Sequence, residues 1–272
     1  MFATAAEHSK ISLNDDHLNT LARIVALMQR TLPASKINLP NLPTASGRPL
    51  SAQHARNLAI RLREVLEMGP LEPLLTLPEI LCHRFNILIF QNAPAPVAHG
   101  CAAIDRYGLI SLSGQIDPSE HLFVCAHDLA HLLAFVRSRA SDGCALHRNT
   151  TVLVKSPSEH FADAFAVDLL IPREGLKSAA SAVRRLLKAT NTSIGDVELL
   201  HLARIFGVPF SAVARSCERA GMLPPGSALT LDRFLVRRGR AKSSIPKLAP
   251  SAIGTHSTGS SAAKRDYSVD PQ

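Results

Sequence analysis

The stretch from His121 to Val136, HLFVCAHDLAHLLAFV, governs the fold. Leu122, Phe123, Val124, Cys125, Ala126, Leu129, Leu132, Leu133 and Phe135 make it apolar nearly all round, and a helix of that composition is buried on most sides. At its centre stand three polar residues, His127, Asp128 and His131. The two histidines are four apart, so on a helix they share a face. Their Cβ atoms then lie about 6 Å apart, close enough for both imidazoles to reach one metal ion at about 2.0–2.1 Å. The chain has 12 histidines among 272 residues, and chance supplies roughly half of one such spacing. Requiring a carboxylate directly after the first histidine, where zinc peptidases keep a general base, cuts that expectation roughly tenfold. Two histidines and an aspartate inside an apolar helix cost several kcal/mol unless partners or a metal satisfy them. The reading is a metal site.

Two imidazoles need a third donor. A third histidine ten residues after the first, with glycine seven after, would mark a metzincin, but those positions hold Arg137 and Ala134. Glu159 is the better candidate. It lies in line with Ala162, Ala166 and Leu169 at helical spacing and so faces the core, with Asp163 one turn further on to orient a histidine ring N–H. Ser156-Pro157-Ser158-Glu159 also has the form of a capping box, which Glu159 could serve instead. His147 and His160 are the fallback ligands.

Around this centre the chain divides into three. Residues 1–50 hold one amphipathic helix (Leu18, Leu21, Ala22, Val25, Met28) and a connector broken by Pro33, Pro40, Pro43 and Pro49. Residues 51–235 form the main domain. Helices are expected over 51–68 and 78–84. Three short apolar runs follow (Ile87 to Phe90, Val97 to Ile104, Leu109 to Leu112), expected to make an antiparallel meander. A helix opens at Ser156 and ends at Pro172, and two more cover 194–206 and 210–220 around Gly207-Val208-Pro209. Residues 236–272 carry seven Lys/Arg against two Asp, which is five of the chain's eight net positive charges, in a Ser/Ala/Pro-rich setting that reads as a disordered tail. The fold class is α+β: a small antiparallel sheet packed on a zincin-like helical core, with a C-terminal helical subdomain.

At 46% apolar and 19% charged residues, the composition excludes a wholly disordered or collagenous chain. No apolar run reaches the roughly 18 residues of a membrane span and no secretory signal opens the chain, so no membrane partner and a cytoplasmic location are expected. The five cysteines (82, 101, 125, 144, 217) include no C-x-x-C pair and read as reduced thiols.

His127-Asp128-Leu129-Ala130-His131, followed by Glu159-His160-Phe161-Ala162-Asp163-Ala164-Phe165-Ala166-Val167-Asp168-Leu169-Leu170-Ile171-Pro172, resembles the ImmA/IrrE family of metallopeptidases, whose pattern is H-E-x-x-H and then E-x-x-A-N-x-F-A-x-x-L-L-x-P. The resemblance spans about residues 51–222. It implies a gluzincin-like, zinc-dependent endopeptidase that makes a single cut in a helix-turn-helix repressor and so switches on its genes. By position it makes His127, His131 and Glu159 the Zn2+ ligands and Asp128 the general base. Two residues depart from the pattern. Asp163 replaces Asn and keeps a short hydrogen-bonding group, whereas Asp128 replaces Glu and draws the carboxylate back by about 1.5 Å.

The peptide substrate is expected to lie along an exposed strand, Leu109, Ile110, Ser111, Leu112 and Ser113. The oxyanion donor is open among Tyr107, His99 and His201. Two rival classes remain at this stage. One is a zinc-binding relative that regulates partners without cutting, suggested by Asp128. The other is a DNA-binding regulator, suggested by the helix-turn-helix outline of Leu199 to Met222, where Arg215 and Arg219 against Glu218 leave a thin footprint for a duplex. Direct nucleic-acid binding is expected only weakly, through the basic tail.

Overall fold

The computed structural model describes residues 50–237, apart from 86, 94–96, 105–106, 114–115, 118–119, 136–141, 149–155 and 192. The expected N-terminal helix and the basic tail lie outside these residues. Among them are eight helices and four strands, in the order α1 (Ala52–Val65), α2 (Leu77–Phe85), β1 (Ile87–Ala93), β2 (Val97–Ile104), β3 (Tyr107–Ser113), α3 (His121–Phe135), β4 (Asp142–Arg148), α4 (Pro157–Leu170), α5 (Arg173–Leu186), α6 (Asp196–Phe206), α7 (Phe210–Arg219) and α8 (Ser227–Arg237). The fold is α+β. No single described helix is long and apolar enough to cross a membrane.

The sheet corrects the expected antiparallel meander. Its order is β1-β3-β2-β4, with β1 parallel to β3 and the pairs β2/β3 and β2/β4 antiparallel. β2 and β3 are joined by two residues, with Ile104 opposite Tyr107, so they form a tight hairpin. The connection from β1 to β2 contains Pro94 and Pro96, which have no N–H to give a ladder. β1 pairs on the far side of β3 and parallel to it, and the sheet is mixed. β4 is a strand that the sequence pattern does not announce.

Helix α3 is buried at every residue from Val124 to Leu133, as its composition requires. It packs beneath β2, β3 and β4 on one side and along α4 on another. Gly108 on β3 makes room for Ile87 on the neighbouring β1: a Cβ there would stand 2.9 Å from Ile87 Cγ1, so that side chain would have to shift, and at ordinary contact, 3.4 Å, from Leu132 Cδ1 of α3. Gly108→Val is expected to cost about 2–3 kcal/mol by overpacking, read as a lower urea midpoint at unchanged slope.

Helix α1 is started by Ser51, whose Oγ accepts the His54 N–H at 3.2 Å. It buries Ala55, Leu58, Ala59 and Leu62 against α4. On the same face lies the buried Arg63. Its guanidinium donates to the carbonyls of Leu169 (2.8 Å), Gly69 (2.6 Å) and Glu72 (2.6 Å), tying the C-terminal end of α4 to α1 and to the loop that follows it. The C-terminal helices α5 to α8 pack in succession. α6 ends on Gly207, whose φ of 63° is left-handed and suits glycine, and α7 leaves at 108°.

Candidate metal centre

Helices α3 and α4, lying side by side, bring His127, His131 and Glu159 together. The Nε2 atoms of the two histidines are 3.2 Å apart. Glu159 places one carboxylate oxygen 3.3 Å from His127 Nε2 and the other 3.2 Å from His131 Nε2. Each Glu159 oxygen thus lies beside a different histidine nitrogen, and one ligand atom from each of the three residues falls within 4.8 Å of the others, close enough for all three to share one ion. The set, two imidazoles and a carboxylate, is one that zinc accepts with a fourth position left open. The residues present therefore fit a divalent metal.

Glu159 performs both tasks raised by its sequence. Its backbone N–H is capped by Ser156 Oγ at 3.3 Å, with Pro157 in the first turn, while its carboxylate turns to the histidines. Asp163, one turn on, accepts from His127 Nδ1 at 3.1 Å, which leaves Nε2 aimed at the metal point. Burial alone would lower the His127 pKa, but hydrogen bonds to Asp163 and Glu159 and the nearby Asp128 charge outweigh it and raise it to about 9. Without metal, His127 is thus protonated at neutral pH. The raised value means that its ion pairs stabilise the fold fully below about pH 6.5 and lose that contribution as the pH climbs through about 9. A metal displaces this proton, so its apparent affinity should rise about tenfold per pH unit from 7 towards 9 and then level off, with one proton released at pH 7. Titration calorimetry in buffers of different ionisation enthalpy measures the proton directly.

Asp128 does not face the metal point as a lone base. Its side chain is completely buried, and both of its oxygens meet Nδ1 of His99 on β2, at 3.0 and 3.2 Å. The His99 ring stands edge-on to that of His127, with centroids 5.6 Å apart at 90°. The sequence offers His99 only as a candidate oxyanion donor. The one signal it gives is a histidine on a strand that precedes the metal helix, which by itself singles out nothing.

The remaining candidates lie elsewhere. His160 is exposed on α4, and His201 sits on α6 among the C-terminal helices. His147 lies on β4 opposite His99, and Tyr107 begins β3. Leu109 to Ser113 are not a sheet edge: β3 is paired with β1 on one side and with β2 on the other. The correction follows from β1 having crossed to the outer side of the hairpin. Helix α7, the second of the helix-turn-helix outline, buries Phe210, Ala212, Val213, Ala214, Ser216 and Cys217.

A His-His-Glu cluster that could hold a metal ion, carried by two adjacent helices of which α3 packs on a small sheet, is the arrangement expected of a metal-dependent enzyme. A family model described as Peptidase_M78, IrrE N-terminal-like domain, matches residues 82–218, half of the chain, and the protein belongs to that family. No curated protein matches it.

Proposed function

We propose that this chain is a zinc-dependent endopeptidase that cuts a helix-turn-helix transcriptional repressor at one site and thereby relieves repression. The observation that carries the reading is the close grouping of His127, His131 and Glu159, with ligand atoms within 4.8 Å of one another, in a peptidase-family domain. When bound, zinc supplies Lewis acidity to the scissile carbonyl. The chain's residues supply the rest. Asp163 fixes the His127 ring, and the buried Asp128 with His99 stands where the family keeps its glutamate.

An extended peptide can add to a free strand edge through main-chain hydrogen bonds. Among the described strands the free edges are β1 and β4, and α3 packs beneath β4 rather than β1. The substrate therefore runs along β4, Asp142–Arg148, whose partner β2 carries His99.

The test incubates the zinc-loaded full chain with a helix-turn-helix repressor from the same genome. A single cut, seen by mass spectrometry, abolished by a chelator and absent from His131→Ala, supports the reading. A repressor left intact by zinc-loaded wild type overturns it.

A further inference from the structure

We propose that a cleft bordered by α1, the end of α4, the start of α5 and α7 binds a small phosphorylated molecule, its phosphate monoester on Arg56, Arg173 and Arg219 and its apolar body on the wall beside them. The cleft has two adjoining parts that share Arg56, Asp168 and Arg173. The smaller, of about 160 Å³, adds Arg219, so three arginines face one aspartate and the charge there is 3 − 1 = +2. The larger, of about 380 Å³, has a size usual for small-molecule pockets. It is walled by Ile60, Met68, Pro70 and Pro172, and its arginines (56, 63 and 173) are balanced by Glu64, Asp168 and Glu174. One end is cationic, and the other is neutral and partly apolar. An organic phosphate has the matching polarity.

The three arginines differ from those that hold the fold together. Arg63 spends its guanidinium on three carbonyls, and Arg184 holds Glu198 and the Ser193 carbonyl. Among the described residues Arg56, Arg173 and Arg219 make no hydrogen bond or ion pair, so their donors are open to a ligand. Arg56 is half-buried and the other two are exposed. Burial pushes the Asp168 carboxyl up, while Arg219 and Arg56 pull it part of the way back, so that carboxylate lies within the field of both guanidiniums without occupying them. A phosphate monoester carries close to two negative charges at neutral pH, which matches the smaller part of the cleft. It also turns three oxygens outward, one for each planar fork, where a carboxylate has two oxygens and a single charge.

The cleft is separate from the metal centre. Asp168 follows Glu159 by nine residues on α4, which places it about 13–14 Å further along the helix axis and half a turn round, on the opposite face. A molecule held by the arginines therefore leaves the histidines clear, and the site stands whether or not the chain cuts a repressor.

The experiment follows the 31P resonance of phenyl phosphate titrated with the zinc-loaded full chain. Phenyl phosphate should bind saturably with a Kd of about 1 mM, the strength expected of a ligand of its size. In competition with it, inorganic phosphate should bind about tenfold more weakly for want of an apolar body, benzoate about tenfold more weakly for its single charge, and phenol not at all. Arg219→Gln, a change at an exposed position, should weaken phenyl phosphate about tenfold, and Arg56→Gln/Arg219→Gln about a hundredfold. His131→Ala, which breaks the metal centre, should bind it as wild type does. A resonance that does not move with wild type, a Kd unchanged in both arginine variants, or binding lost in His131→Ala would each overturn the proposal, the last by placing the phosphate on the metal. Benzoate or inorganic phosphate binding as tightly as phenyl phosphate would overturn the choice of ligand.

Discussion

Zinc supplied at about a thousand times its Kd should raise the melting temperature of the wild-type chain by about 8–16 °C and leave that of Glu159→Gln almost unmoved. The size follows from linkage: a ligand at that excess stabilises the state that binds it by about 4 kcal/mol, and a domain of this length melts about 2–4 °C higher per kcal/mol. The difference between the variants follows from the donor set. Each Glu159 oxygen stands 3.2–3.3 Å from one histidine nitrogen, so the carboxylate closes the third corner of the cluster and brings the negative charge that offsets the metal. An amide keeps the shape without the charge and offers one oxygen in place of two. Differential scanning fluorimetry with and without zinc reads the effect. Asp163→Ala should give an intermediate result, since it frees the His127 ring without removing a ligand, and weaken zinc about 10–100-fold.

Arg63→Met should lower stability by about 3 kcal/mol, a large loss for a single change remote from the metal. The methionine fills similar volume, so the cost is electrostatic: the carbonyls of Leu169, Gly69 and Glu72 lose their donor, and each stranded acceptor costs about 1 kcal/mol or more. Arg63→Lys should recover only part of the loss, because an ammonium cannot span the three acceptors that the planar guanidinium reaches together. Urea unfolding followed by circular dichroism measures both variants, and equal midpoints for wild type and Arg63→Met would contradict the account.

The metal helix was the most legible part of the sequence because burial on all sides leaves a mark that needs no knowledge of neighbours: an apolar segment with a few polar residues at one helical spacing. Glu159 and Asp163 were legible for a related reason, since their register against Ala162, Ala166 and Leu169 fixes the face they share. Strand pairing was not. The runs at Ile87 and Leu109 announce strands, yet nothing local to either says that they lie side by side and parallel, for that depends on the hairpin between them closing first. β4 has no run of β-branched residues; it is a strand because the edge of β2 completes it, and strand preference is largely a property of such surroundings. The His99–Asp128 contact joins residues 29 apart in sequence and could be seen only once β2 lay over α3.

The donors of the metal centre arrive in two instalments, His127 and His131 on α3 and Glu159 on α4. A nascent chain that has emerged only as far as β4 already carries the paired histidines, but neither the acid that completes their grip nor the aspartate that aims His127. Such a fragment holds zinc no better than any two imidazoles. The order of synthesis thus delays assembly of the cluster until α4 has left the ribosome.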